Sequence, residues 1–183
     1  MSEMNLVGLC GSLRAESSNR KLMFEAARLF APKSFAEIDL RFPLYDQDLQ
    51  DAEGLPPAVQ QAADQIAAAD AVLVVTPEYN KGLSGVLKNA LDWISRTENK
   101  PWRDKPVALM SAAAGRAGGE RAQNMARLCL NPFRPRLLTG PEVMLAQSRK
   151  RFDEDGRLND DQARGFLQEL MDELRADVRR MAG

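Results

Sequence analysis

The chain has no histidine among its 183 residues and only two cysteines, Cys10 and Cys129. Without an imidazole a His-centred hydrolytic triad has no base, and without a cysteine cluster a zinc site has no ligands. Cys10 closes an apolar run and Cys129 falls in a helical pattern, so both read as small buried side chains rather than a disulfide. Charge of one sign is lacking as well. With 25 basic and 26 acidic residues the formal net charge is -1, which gives no electrostatic argument for nucleic acid or a membrane surface. No apolar stretch approaches the ~20 residues of a membrane span, and no charged n-region with a long apolar h-region opens the chain. The expectation is a cytoplasmic protein with neither nucleic acid nor membrane as partner. Repeats and low-complexity segments are also lacking. What is present, 44% hydrophobic and 28% charged residues, suits one globular domain over residues 1–183 with a sizeable core.

The stretch on which the rest is organised runs from Leu6 to Asn19. An apolar strand, Leu6 to Cys10, breaks at Gly11 into a short polar loop, and helical periodicity begins near Arg20. A helix start exposes unpaired N–H groups and a positive dipole end, which favour an anion. Ser12, Ser17, Ser18 and Asn19 add short donors, and Arg14 adds a guanidinium fork that suits two phosphate oxygens. Three familiar phosphate loops are excluded. Counting a Walker A loop from Gly11 lands on Glu16 and Ser17 instead of Gly-Lys. Gly8 and Gly11 supply only Gly-x-x-Gly, short of the dinucleotide fingerprint. A Cys-x5-Arg phosphatase loop would need arginine where Glu16 stands. A plainer reading is a Ser/Asn-capped helix with Arg14 solvated.

Downstream, strand and helix signals alternate. Leu22, Met23, Ala26, Ala27 and Phe30 form a helical face that ends before Pro32, and Phe35 to Leu40 read as a strand. Arg41 to Pro57, with Pro43, Gly54, Pro56 and Pro57, read as a long surface loop. Val59 to Ala67 are helical, Val72 to Val75 a strand, Leu83 to Ile94 a third helical face, and Val107 to Ser111 a strand. A glycine-rich loop, Gly115-Arg116-Ala117-Gly118-Gly119, leads into a helix through Cys129. Phe133 to Leu138 read as a fifth, edge strand, Val143 to Ala146 as a short extension, and Phe166 to Val178 as the closing helix. Alternation of this kind predicts a parallel sheet with helices on both faces.

The third strand runs straight into Pro77-Glu78-Tyr79-Asn80. Together with Gly11-Ser12-Leu13-Arg14-x-x-Ser17-x-Asn19 and the Gly85 to Trp93 segment behind it, this pattern resembles the NAD(P)H-dependent FMN reductase family, within it most the bacterial quinone and chromate reductases. The resemblance extends from Leu6 to the Phe152-Asp153-x-x-Gly156-x-Leu158 segment. It implies a flavodoxin-like, doubly wound α/β fold with a five-stranded parallel sheet in the order 2-1-3-4-5, whose winding reverses between strands 1 and 3.

The resemblance also implies FMN as cofactor and NADPH or NADH as co-substrate. Ser12, Arg14, Ser17 and Asn19 match the family's phosphate contacts; Pro77, Glu78, Tyr79 and Asn80 match its ring-binding loop; Gly115 and Arg116 edge the flavin. No catalytic side chain is required, because the flavin carries the hydride chemistry, so Glu78 is read as a backbone contributor over a catalytic carboxylate. Tyr79 reads as a wall of the ring pocket. Lys88, Asn89, Asp92 and Arg96 read as helix-surface or subunit-contact residues. Implied acceptors are small molecules: quinones, chromate, azo compounds or free flavin. The family associates as homodimers or homotetramers, with Tyr45 to Gly54 and the third helix as the expected contact. The alternatives are a flavodoxin-type electron carrier, disfavoured by the near-neutral charge and by Arg14, and a flavin-binding redox sensor.

Overall fold

The computed structural model describes residues 3–182. Apolar runs with little polar interruption give the buried parallel strands β1 (Asn5–Cys10), β3 (Ala71–Thr76) and β6 (Pro106–Ala112), joined at one edge by β2 (Ser34–Ile38). The ladder runs β2-β1-β3-β6, with every pair parallel. Such strands are buried on both faces because helical crossovers cover both sides. Alternate residues of each strand accordingly divide between two cores. Leu6, Leu73, Val75, Ala108 and Met110 meet α1 (Ser18–Phe30) and α6 (Asp161–Ala182). Val7, Leu9, Val72, Val74, Val107 and Leu109 meet α3 (Pro57–Ala68), α4 (Gly85–Ile94) and α5 (Glu120–Leu130).

The outer position beside β6 differs from the expected fifth strand. It is shared by two short strands, β7 (Arg136–Leu137) and β8 (Val143–Leu145), both parallel to β6, so the sheet has six strands. From Leu137 to Val143 the chain advances six residues while its β6 partners advance three, Val107 to Met110. The extra residues loop out around Pro141, which has no N–H to give to a ladder. Phe133, expected at the strand start, instead ends a 3-10 turn, Asn131–Phe133.

The predicted long loop also holds a helix, α2 (Gln47–Glu53), with no buried residue. Asp46 caps it, its carboxylate accepting from the N–H groups of Asp48 at 2.9 Å and Leu49 at 3.4 Å. Just before it, Pro43 and Tyr45 are tied to α4. The Pro43 carbonyl accepts from Asn89 Nδ2 at 2.9 Å and Trp93 Nε1 at 2.8 Å, and the Tyr45 N–H donates to Asn89 Oδ1 at 2.8 Å. Asn89, expected on the helix surface, is thus an internal anchor. No helix among the described residues is long and apolar enough to cross a membrane.

Candidate active site

The carboxyl ends of β1, β3 and β6 open into three loops that are drawn together by close backbone packing. Gly11 ends β1 and donates its N–H to the Val75 carbonyl at 2.8 Å. A Cβ at Gly11 would sit 2.6 Å from Ser84 Oγ and 3.3 Å from Pro77 Cδ, so only glycine lets the first loop press against the second. At the third loop, Gly118 has φ +62, and a Cβ there would lie 2.5 Å from the Met144 carbonyl oxygen. Ser111 Oγ donates to the Gly118 carbonyl at 2.7 Å, and Gln123 Nε2 donates both to Ser111 Oγ at 2.9 Å and to the Val143 carbonyl at 2.8 Å. This network holds the third loop, α5 and β8 in one arrangement.

The loops surround a cavity of about 180 Å³ lined by Ser12, Arg14, Ser17, Ser18, Asn19, Pro77, Glu78, Tyr79, Ala112 to Ala114, Ser148 and Arg149. Seven of the ten residues singled out from the sequence, Ser12, Arg14, Ser17, Asn19, Pro77, Glu78 and Tyr79, are therefore brought to one place. Arg14 is exposed and makes no hydrogen bond or ion pair among the described residues, so its guanidinium is open to a ligand. Ser17 is the N-cap of α1, its Oγ accepting from the Arg20 N–H at 3.4 Å.

Asn19 has a structural task besides the one its position suggests. Its amide is bonded at both ends to one residue: Nδ2 donates to the Ala112 carbonyl at 2.9 Å and Oδ1 accepts from the Ala112 N–H at 2.8 Å. The side chain fastens the start of α1 to the end of β6, beside the cavity that Asn19 also lines. Glu78 is likewise engaged. Its Oε2 accepts from the Arg121 N–H at 3.1 Å, and Oε1 faces Arg121 Nη1 at 3.8 Å. The carboxylate thus supplies an acceptor to the first turn of α5, which Gly119 cannot cap by side chain.

Asn80, Gly115 and Arg116 do not line this cavity. Asn80 (φ 49) and Lys81 (φ 64) form the two-residue turn between the short antiparallel strands β4 (Glu78–Tyr79) and β5 (Gly82–Leu83). Asparagine tolerates that backbone, which explains its presence at the tip. Gly115 and Arg116 are exposed, with the Gly115 carbonyl accepting from the Gln147 N–H at 3.1 Å.

Conversely, Ser148 and Arg149 line the cavity and were missed. They follow β8, and the Ser148 N–H donates to the Ala113 carbonyl at 3.0 Å, which lays this fourth loop along the third. The available signal was the Arg149-Lys150-Arg151 run after a short apolar segment. No group of three or more potential metal ligands occurs among the described residues. The cavity's donors are hydroxyls, a helix start and two guanidiniums, a set suited to a phosphate-bearing organic cofactor.

Comparison with known proteins agrees with this chemistry. Residues 4–150 match the family model described as NADPH-dependent FMN reductase. An NAD(P)H-dependent FMN reductase of Pseudomonas aeruginosa is 43% identical over 183 residues, covering 99% of this chain and 98% of that protein. A quinone reductase of Escherichia coli K12 is 40% identical over 152 residues, 79% of each chain. Among solved structures, the flavoenzyme NAD(P)H:acceptor oxidoreductase FerB from Paracoccus denitrificans superposes with a TM-score of 0.86 at 30% identity, covering 97% of this chain and 98% of that one. With its flavodoxin-like fold, the chain belongs to the NADPH-dependent FMN reductase family, and it is an FMN-dependent NAD(P)H oxidoreductase.

Proposed function

We propose that the chain acts as a single FMN-binding domain that passes two electrons from a nicotinamide coenzyme to quinones. The observation that carries this reading is the meeting of Ser12, Arg14 and Ser17 with Pro77, Glu78 and Tyr79 around one cavity. Bound there, FMN supplies the two-electron chemistry, accepting a hydride from NADPH or NADH and returning two electrons to the acceptor. The net reaction balances as NAD(P)H plus one proton plus quinone giving NAD(P)+ and hydroquinone.

The chain's own residues bind and orient. Arg14 neutralises phosphate charge, joined by Arg149, which lines the same cavity, while Ser12, Ser17 and the backbone N–H groups at the start of α1 donate to phosphate oxygens. Pro77, Tyr79 and the 78–80 backbone offer a flat wall to the ring. Gly115, Arg116 and Asn80 edge the opening. Glu78 serves through its backbone, since its carboxylate is held by Arg121. Quinones are favoured because relatives named for them include 2-hydroxy-1,4-benzoquinone reductase of Burkholderia sp., 37% identical over 180 residues. The protein works as a homodimer or homotetramer in the cytoplasm, with neither nucleic acid nor membrane as partner.

The test is anaerobic. Holoenzyme reduced with one equivalent of NADPH is mixed with 1,4-benzoquinone, and recovery of the oxidised flavin bands with one hydroquinone formed per flavin is expected. Bands that stay bleached would exclude quinones as acceptors.

A further inference from the structure

A cleft of about 360 Å³ opens at the other end of β6 from the FMN cavity. β6 runs from Pro106 to Ala112, and Ala112 lines the FMN cavity. This cleft is built instead from the segment just before Pro106, the end of α4 and the turn that follows α5. At about 3.3 Å per strand residue the two sites lie roughly 20 Å apart. The volume is that of a small-ligand site. Its walls are aromatic and apolar. Trp102 is 2% exposed, and its ring and that of Phe133 have centroids 6.5 Å apart with planes inclined by 23°, beside Pro132.

The charge around it is of one sign. Lys100, Arg103 and Arg134 line the cleft, and no carboxylate does. Arg103 has Asp104 at 3.7 Å. The side chains of Lys100 and Arg134 are exposed and make no hydrogen bond or ion pair among the described residues. Both sit on backbone that L residues disfavour: Lys100 (φ 43), Asp104 (φ 58) and Arg134 (φ 56) are all left-handed. The two segments that carry them are bonded together, Asp104 N–H to the Arg134 carbonyl at 3.0 Å and Arg136 N–H to the Lys105 carbonyl at 2.8 Å. Strain of this kind concentrates at ligand clamps and other functional sites. Trp102 Nε1 is also buried with no acceptor among the described residues, an exception to the rule that buried donors are paired.

We propose that this cleft is a second ligand site, for a small aromatic carboxylate, with Lys100 and Arg134 holding the carboxylate and Trp102, Phe133 and Pro132 walling the ring. The lining dictates that chemistry. Unpaired cations with no competing acid select an anion, and a carboxylate accepts charge-assisted hydrogen bonds from both. The aromatic and proline walls bury a flat ring. An inorganic anion would leave those walls unused, and a neutral ring would leave the cations unused. The cleft shares no lining residue with the FMN cavity, so this inference stands apart from the site proposed above.

The two tryptophans supply the readout. Trp93 Nε1 donates to the Pro43 carbonyl at 2.8 Å, whereas Trp102 Nε1 has no acceptor among the described residues. Isotopically labelled, FMN-loaded protein is titrated with 2-naphthoate while both indole N–H resonances are followed by NMR, and Trp102→Phe identifies the Trp102 signal by its loss. A saturable shift of the Trp102 resonance is expected, with the Trp93 resonance fixed and the flavin bands unchanged. Arg134→Asn and Lys100→Asn remove the charges with a residue that tolerates left-handed backbone. Each should raise the naphthoate Kd by about fivefold or more, with NADPH oxidation unchanged. A Trp102 resonance that stays in place, a shift equalled by phosphate or by naphthalene-2-carboxamide, a Kd unaltered in both variants, or displacement of FMN by the probe would each overturn the inference. Should a variant fail to fold, the wild-type titration against those two control compounds decides alone.

Discussion

At the scale of single residues, the site divides into side chains left free for a ligand and side chains used to build the walls. Arg14 belongs to the first group. Arg14→Ala is expected to weaken FMN binding by about 1.5–3 kcal/mol, the worth of a hydrogen bond to a charged group; fluorescence titration checks it, and unchanged affinity would remove Arg14 from the phosphate site. Asn19 belongs to the second. Asn19→Ala leaves the buried N–H and carbonyl of Ala112 without partners, and should cost about 2–3 kcal/mol of stability in urea unfolding. Cys10 illustrates burial acting on chemistry. Burial raises its thiol pKa from the ordinary 9.0 to about 11, against the lowering effect of a backbone hydrogen bond from Ser12. The unfolded chain releases this proton first, so the thiol's contribution to stability is intact below pH 9 and declines from there toward pH 11. Cys10→Ala should lack that part of the alkaline loss in chemical denaturation, and an identical profile would refute the assignment.

At the scale of elements, connections between strands fix where the loops meet. Gly118→Ala would put a side chain on a positive-φ residue and against the Met144 carbonyl, and a loss of about 2 kcal/mol or more is expected. Thermal unfolding measures it; an unchanged midpoint would contradict the tight seam between the third loop and β8. The seam of α6 against β7 is an ion pair, with Arg136 Nη2 on Asp177 Oδ1 at 2.6 Å and Nε on Oδ2 at 2.9 Å. The Arg136 hydrogen bond holds the Asp177 carboxyl below its ordinary value. Its stabilisation is therefore present above that value and lost as pH falls through the lowered one. The difference in melting temperature between wild type and Asp177→Asn should shrink as pH drops below 3.8, and a constant difference would exclude the pairing. The elements legible in the sequence were those with an apolar face. α1, α3, α4, α5 and the central strands announce themselves through buried periodicity. α2 has no buried residue, so periodicity could not reveal it; only Asp46 before it and Gly54 after it carried the signal. The β7–β8 break was hidden because register belongs to the partner strand. Ser148 and Arg149 escaped because Val143 to Ala146 read only as an extension of the fifth strand, so the loop after it had no separate claim on the ligand end.

At the scale of the whole molecule, the chain resolves into a scaffold with two faces and one catalytic end. Both cores are apolar, and the residues proposed to bind FMN lie where parallel strands terminate. This placement follows from topology: a right-handed crossover leaves every strand's carboxyl end on the same side, and the reversal of winding opens the crevice there. The family motifs of the first two loops fall at this end and line one cavity. They did not distinguish Asn19's clamping role from ligand binding, because both place asparagine at the same point in sequence. The claim that unites fold, site and family is that bound FMN in this end is reduced by a nicotinamide coenzyme. Its most direct test is the visible spectrum of the FMN-loaded protein before and after anaerobic addition of NADPH or NADH. Prompt bleaching of the flavin bands is the predicted result; bands that persist after both coenzymes would contradict the account.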